Sequence, residues 1–234
     1  MNKKSRSIKL SVVMPAYNEE KTIKEIIKKV KAVKIPKEII IIDDGSKDST
    51  REILKGIKES DIRIFLNRKN VGKSYSVRRG IKEARGDIII IQDADLEYDP
   101  QDYYKLVRPI LEGSSKVVYG TRFPKTKKMP SLLNKFFIGN RVLTFLANLL
   151  YDANITDEPT CYKTFDAKVL KSLDLKSNRF EFCPEVTAKV LKKGYKILEV
   201  PISYHPRTVA EGKKINWRDG LEAVWTLIKY RIID

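Results

Sequence analysis

A chain of 234 residues with 42% apolar and 9% aromatic content is long enough to bury a sizeable core, which excludes a disordered chain and allows one large domain or two small ones. Lys plus Arg number 47 against 30 Asp plus Glu, a formal charge of +17, so an anionic partner is expected: nucleic acid, an anionic membrane surface or a phosphorylated substrate. Cys161 and Cys183 make no disulfide framework and lack zinc spacing, His205 is the only histidine, and no apolar stretch of signal-peptide length follows Met1. Reduced thiols in a cytoplasmic protein are the expectation.

Ile8 to Met14 reads as a strand, broken by Pro15-Ala16-Tyr17-Asn18-Glu19-Glu20. Lys21 to Val33 carries Ile23, Ile26, Ile27 and Val30 at the 3.6-residue period of an amphipathic helix. Glu38 to Ile42 is a second apolar strand, ending in Asp43-Asp44-Gly45-Ser46, and Asp48 is placed to cap a helix running to about Glu59. Ile62 to Leu66 is a third strand, Asn70 to Lys73 a loop, and Ser74 to Ala84 a helix. Asp87-Ile88-Ile89-Ile90-Ile91 then delivers Gln92-Asp93-Ala94-Asp95-Leu96-Glu97 to a strand end. Three carboxylates there are costly unless a cation neutralises them, and a hard divalent cation such as Mg²⁺ takes such oxygen ligands together with phosphates. Alternation of strand and helix predicts an α/β fold with a mostly parallel sheet covered on both faces, whose ligands bind beyond the strands' carboxyl ends. Neither a Gly-x-Gly-x-x-Gly nor a P-loop pattern is present.

A helix past Pro100 and a strand at Lys116 to Tyr119 lead to Gly120-Thr121-Arg122-Phe123. Leu132 to Tyr151 is rich in Leu and Phe, but Lys135, Asn140 and Arg141 interrupt it, which argues against a bilayer span and for an interfacial or docking helix pair, with an ordinary buried helix as the alternative. A strand at Thr160 to Phe165, helices at Lys168 to Leu173 and Pro184 to Lys193, a strand at Ile197 to Tyr204 and a helix from Trp217 to Ile233 complete the chain. The last helix sets Trp217, Leu221, Val224, Trp225, Ile228 and Ile232 on one face. With no linker and no repeat, 1–234 reads as one domain.

In order and spacing, Pro15 to Glu20, Asp43-Asp44-Gly45-Ser46 and Asp93-Ala94-Asp95 resemble a family-2 glycosyltransferase of GT-A (Rossmann-like) fold. Gly120 to Phe123, Thr156-Asp157 leading to Thr160-Cys161-Tyr162-Lys163, and Val200-Pro201 leading to Tyr204, Arg207, Gly212 and Lys213 are similar to its dolichyl- or polyprenyl-phosphate mannosyl- and glucosyltransferase branch. The resemblance implies an inverting transfer of a hexose from a GDP- or UDP-sugar to a lipid phosphate. It divides the chain into a nucleotide-sugar half (1–120) and an acceptor half (121–234). Carried over, Pro15, Tyr17 and Glu19 line the nucleotide pocket, Asp44 meets the base with Ile42 beside it, and Asp93 and Ala94 lie against ribose and diphosphate. Asp95 ligates Mg²⁺ or Mn²⁺, with Asp93 and Glu97 near it; Glu97 stands where that branch often has Gln. A lipid phosphate is already an anion and needs positioning more than a base, so Arg122 and Arg207 are the expected acceptor groups, with Lys213 and Arg141 as further cations. A sugar-hydroxyl acceptor on a glycan or glycolipid would need a base, Asp157 or Glu185. His205, the lone histidine, is expected in a structural or substrate-rim role rather than a catalytic one.

The resemblance also gives the amphipathic helices at about 132–151 and 217–233 a use: seating the enzyme peripherally on the cytoplasmic face of a membrane, or meeting a second copy or a membrane subunit. An RNA-binding protein is disfavoured, because no aromatic platform or RNA-binding motif accompanies the charge. A nucleotidyltransferase would release pyrophosphate where a glycosyltransferase releases a nucleoside diphosphate.

Overall fold

The computed structural model describes residues 9–123, 135–207 and 217–233. Seven strands form one sheet in the order β3-β2-β1-β4-β6-β5-β7. β1 (Leu10–Ala16), β2 (Lys37–Asp43), β3 (Ile62–Leu66) and β4 (Ile88–Ile91) are mutually parallel. β6 (Lys163–Asp166) runs antiparallel to both of its neighbours, β4 and β5 (Val117–Thr121), and β7 (Ile197–Pro201) is parallel to β5. The sheet is thus mostly parallel, as expected.

Every residue of β1 and every residue of β4 is buried. Successive side chains on a strand point to opposite faces, so both faces of the sheet are covered there. That is why these strands read as unbroken Val and Ile runs. On one face α3 (Lys73–Glu83) lies close enough that a Cβ at Gly80 would meet the Val13 side chain. α1 (Ile23–Ala32) buries the four apolar residues its period predicts. α4 (Tyr103–Leu111) follows a 3-10 turn at Pro100–Asp102 and packs on β5 and β6.

Two local expectations shift. α2 spans only Thr50–Lys55 with Ser49 at its N-cap, because the Asp48 carboxylate accepts from the Thr50 and Glu20 N–H groups and so fastens the neighbouring loop instead. The Leu/Phe-rich stretch is one helix, α5 (Lys135–Tyr151), over its described part. After α6 (Ala167–Lys171), α7 (Phe182–Lys192) and α8 (Trp217–Ile232) pack with α5 into a second apolar cluster of Leu143, Ala147, Tyr151, Ala188, Leu227 and Tyr230. Among the described residues no helix is long and apolar enough to cross a membrane.

Candidate active site

The parallel strands end together on one edge of the sheet, and there the sequence turns from Ile and Val to carboxylates. Asn18, in the left-handed region at φ 51°, lets the chain turn sharply after β1. Its Oδ1 accepts from Lys47 N–H (2.8 Å) and its own N–H donates to Ser46 Oγ (3.0 Å), which ties this turn to the one after β2. Gly45 (φ 73°) sits where a Cβ would collide with the Lys69–Asn70 backbone, so only glycine lets that turn pack against the loop after β3.

Pro15 and Ile42 pair across β1 and β2 and are buried within the sheet. Tyr17, just beyond β1, is half-buried. Asp44 is also buried. Its Oδ1 accepts from Asn67 Nδ2 (2.7 Å) and Val71 N–H (3.1 Å), and its Oδ2 from Gly72 N–H (2.8 Å). Asp44 therefore builds the loop leading into α3. Asp43 has a different role, pairing with Arg51 through Nε (2.8 Å) and Nη2 (2.6 Å).

Beyond β4, Gln92 is fully buried; its Oε1 accepts from the hydroxyls of Tyr103 (2.6 Å) and Tyr162 (2.8 Å), and its amide donates to the Asp93 carbonyl. The Thr22 hydroxyl lies 2.9 Å from the Ala94 carbonyl and 2.8 Å from Glu19 Oε2. These bonds fix the main chain at Asp93 and Ala94. Asp93 pairs with Lys73 Nζ at 2.6 Å. Asp95 and Glu97 instead share the Arg207 guanidinium: Nη2 is 2.5 Å from Asp95 Oδ2 and Nε 3.5 Å from Glu97 Oε1. Nη1 of the same group reaches Glu19 Oε2 at 3.3 Å. Burial, then the neighbouring Asp93 charge, push the Asp95 carboxyl up to about 7 despite Arg207. Burial works the same way on Asp93, but the Lys73 charge outweighs it and holds that carboxyl below its usual range.

Arg207 is held by its backbone as well as its side chain. Tyr98 and Tyr204 form an isolated antiparallel bridge with rings 5.4 Å apart. His205 N–H donates to the Glu97 carbonyl (2.8 Å) and Arg207 N–H to Glu97 Oε1 (3.0 Å). His205 itself is exposed.

Arg122 departs from the expectation of an open phosphate-binding group. It lies buried against Asp157, with Nε to Oδ2 at 2.8 Å, Nη2 to Oδ1 at 2.7 Å and its own N–H to Oδ2 at 2.9 Å. The guanidinium also stacks 5.0 Å from the Tyr204 ring centre. Its fork is filled, so it braces the segment that carries Arg207. The same pair occupies Asp157, and Glu199 accepts from the Thr156 and Asp157 N–H groups. Glu185 is buried elsewhere, accepting from Lys189, Ser177 and the Lys176 N–H. Both carboxylates are thus engaged by protein partners. Arg141 is exposed on α5, and Lys213 lies outside the described residues.

Lys73 is the candidate site residue that the sequence reading did not single out. One lysine among 47 basic residues carries no signal by number, but Gly72-Lys73-Ser74 opens a helix, and Gly72 (φ 118°) lets that helix start against the Asn178 backbone. Among the described residues no three His, Cys, Asp or Glu side chains converge tightly enough to hold a metal ion by themselves. Asp95 and Glu97, gathered around one cation, are hard oxygen donors, which suits Mg²⁺ or Mn²⁺ provided phosphate oxygens complete the shell.

The sequence model for glycosyl transferase family 2 matches residues 11–174, more than half of the chain and every strand end described above except that of β7. The chain belongs to that family. This glycosyltransferase is 34% identical over 228 residues to an uncharacterized protein of Methanocaldococcus jannaschii, covering 94% of this chain and 91% of that one. It is 30% identical over 225 residues to the UDP-N-acetylglucosamine–dolichyl-phosphate N-acetylglucosaminyltransferase of Methanococcus voltae, covering 87% and 89%. Among solved structures it superposes on glucosyl-3-phosphoglycerate synthase from Mycobacterium tuberculosis, crystallised with Mn²⁺, UDP and phosphoglyceric acid, with a TM-score of 0.74 at 21% identity over 97% of this chain and 80% of that one. The fold is GT-A.

Proposed function

We propose that this glycosyltransferase moves a sugar, with inversion, from a UDP-sugar to a dolichyl- or polyprenyl-phosphate on the cytoplasmic face of a membrane. The observation that carries the reading is the split charge pattern at the end of β4. Asp93 with Lys73 forms one half, and Asp95 with Glu97 and Arg207 the other. Two cations interleaved with carboxylates suit two phosphate-bearing substrates meeting at one point.

UDP is favoured over GDP on two grounds. The Methanococcus voltae relative is named for a UDP-sugar and a dolichyl phosphate. Asp44 already accepts three hydrogen bonds, which leaves one acceptor direction on Oδ2. That suits a base presenting a single N–H, as uracil does, better than the paired donors of guanine. The relative's name also adds N-acetylglucosamine to mannose and glucose as a candidate sugar.

In the reaction a phosphate oxygen of the acceptor attacks the sugar's anomeric carbon as the bond from that carbon to the UDP oxygen breaks. The acceptor is already ionised, so no base is required, in keeping with the occupied state of Asp157. Lys73 lies against the leaving diphosphate, and Arg207 steers the incoming phosphate. Asp95 and Glu97 would hold a divalent ion, which when bound neutralises charge on the leaving nucleoside diphosphate.

The apolar stripes of α5 and α8 support seating on a membrane. Phe145 and Leu149 on one helix, and Trp217, Leu221, Trp225 and Ile232 on the other, are each at least 60% exposed. Such a patch marks an interaction surface, and nearby Arg141, Arg218 and Arg231 suit anionic lipid. Cys161 and Cys183 are free, which fits the cytoplasmic side.

The test is a thermal-shift panel of UDP, GDP and their sugar conjugates with Mg²⁺ or Mn²⁺, followed by transfer from the best donor to a polyprenyl phosphate. Stabilisation by UDP with metal, and release of free UDP on transfer, is the expected result. Stabilisation by GDP alone, or release of pyrophosphate, would overturn it.

A further inference from the structure

We infer that the Arg207 guanidinium is a built-in counter-cation of the metal-binding carboxylates, which a divalent ion must displace before the site can work. The inference deepens the reading above and rests on it. One planar cation here answers three carboxylates drawn from two strand ends: Asp95 at 2.5 Å, Glu19 at 3.3 Å and Glu97 at 3.5 Å. A divalent ion bound by Asp95 and Glu97 requires the same oxygens. Ion and guanidinium are therefore alternatives at Asp95, where the contact is shortest.

The anchoring of the segment makes the exchange local. The Tyr98–Tyr204 bridge and the His205 N–H bond to the Glu97 carbonyl fix the main chain on the site's rim. Arg122, buried against Asp157, packs under the Tyr204 ring. The side chain of Arg207 can leave its partners while the backbone stays in place. A guanidinium released from Asp95 stands beside the bound donor with its fork open, which is where an acceptor phosphate must arrive. Metal binding is thereby coupled to creation of the acceptor's anion site, and binding of donor with metal precedes binding of acceptor. Because the metal-competent arrangement is only a fraction of the population while the guanidinium holds the carboxylates, apparent metal affinity is lowered by that fraction.

The experiment is Mn²⁺ binding to the whole chain in the presence of saturating UDP, followed by electron paramagnetic resonance of free Mn²⁺. Wild type, Arg207→Gln and Arg207→Lys are compared. Removing the guanidinium should tighten Mn²⁺ binding at least fivefold in Arg207→Gln. Arg207→Lys, which keeps a cation at the site, should bind less tightly than Arg207→Gln. Matching thermal melts of the three proteins establish that all are folded. Equal or weaker Mn²⁺ binding by folded Arg207→Gln overturns the inference. In that case retained stabilisation of wild type by UDP with Mn²⁺ leaves the proposed function standing. Failure of all three proteins to bind Mn²⁺ even with UDP present overturns both.

Discussion

Lys73 and Arg122 exchange the roles that composition would assign them. Arg122 has the planar fork suited to phosphate, yet Asp157 fills that fork in the interior. Lys73 pairs with Asp93 at the strand-end edge that carries the candidate site. Replacing Lys73 with Ala should weaken UDP binding by about tenfold or more, since a charge-assisted hydrogen bond contributes about 1.5–3 kcal/mol; isothermal titration with UDP and Mn²⁺ measures it. Asp157→Ala should act on stability instead. It leaves the buried Arg122 charge without its partner and should cost about 3–5 kcal/mol in urea unfolding. The acidic triplet after β4 was legible from the sequence, because a pure Ile run ending in three carboxylates has few structural uses. Its division between Lys73 and Arg207 was not. Those partners come from about 20 residues before and 110 residues after it, and only the fold brings them together.

At the scale of elements, the parallel half was readable because its strands bury both faces and its helices bury one. Ile23, Ile26, Ile27 and Val30 mark α1 without ambiguity. β6 was less legible. It has four residues, and one of them, Lys163, is fully buried, with its Nζ 3.7 Å from the Tyr119 ring centre and bonded to the Glu158 carbonyl. A buried lysine in a central strand has no period to betray it. The opposite end of the sheet from the site has its own organiser in Glu38. That carboxylate accepts from the Ser11 hydroxyl and Arg85 N–H, each at 2.7 Å, and lies near Arg63. Burial tends to raise its pKa, but those three partners hold it below its usual range. A depressed folded-state pKa contributes stability above the unfolded value, about 4.3, and loses it as pH falls through the folded value. Glu38→Gln should therefore cost about 1–3 kcal/mol near neutral pH, with the deficit narrowing below about pH 4 in chemical denaturation measured across pH.

For the molecule as a whole, the apolar face of α5 and α8 stands apart from the main core. Val224 and Ile228 are half-buried, whereas Trp217, Leu221, Trp225 and Ile232 turn outward, so the helix period found the stripe but not its destination. Composition cannot tell a face that meets protein from one that meets lipid. Trp225→Glu should shift unfolding free energy by no more than about 0.5 kcal/mol, because the side chain touches little. It should nonetheless reduce co-sedimentation with anionic liposomes at low salt. Unchanged sedimentation, with a concentration-dependent dimer in solution, would assign the face to a second copy.

The antiparallel β6 has a consequence for how the chain acquires its structure. β4, four isoleucines leading into the acidic triplet, has β1 on one side and β6 on the other. β6 lies more than 70 residues later in the chain. During synthesis the first four strands can assemble with their most apolar member at an open edge, a template for pairing with another nascent chain. A fragment ending near residue 120 should accordingly be insoluble although it holds the whole parallel half, and adding the chain through residue 171 should relieve this. The segment leading into β6 also brings Cys161 and Tyr162 against Ile91 and Gln92 at the end of β4, so this part of the candidate site is finished late, when the β4 edge is covered.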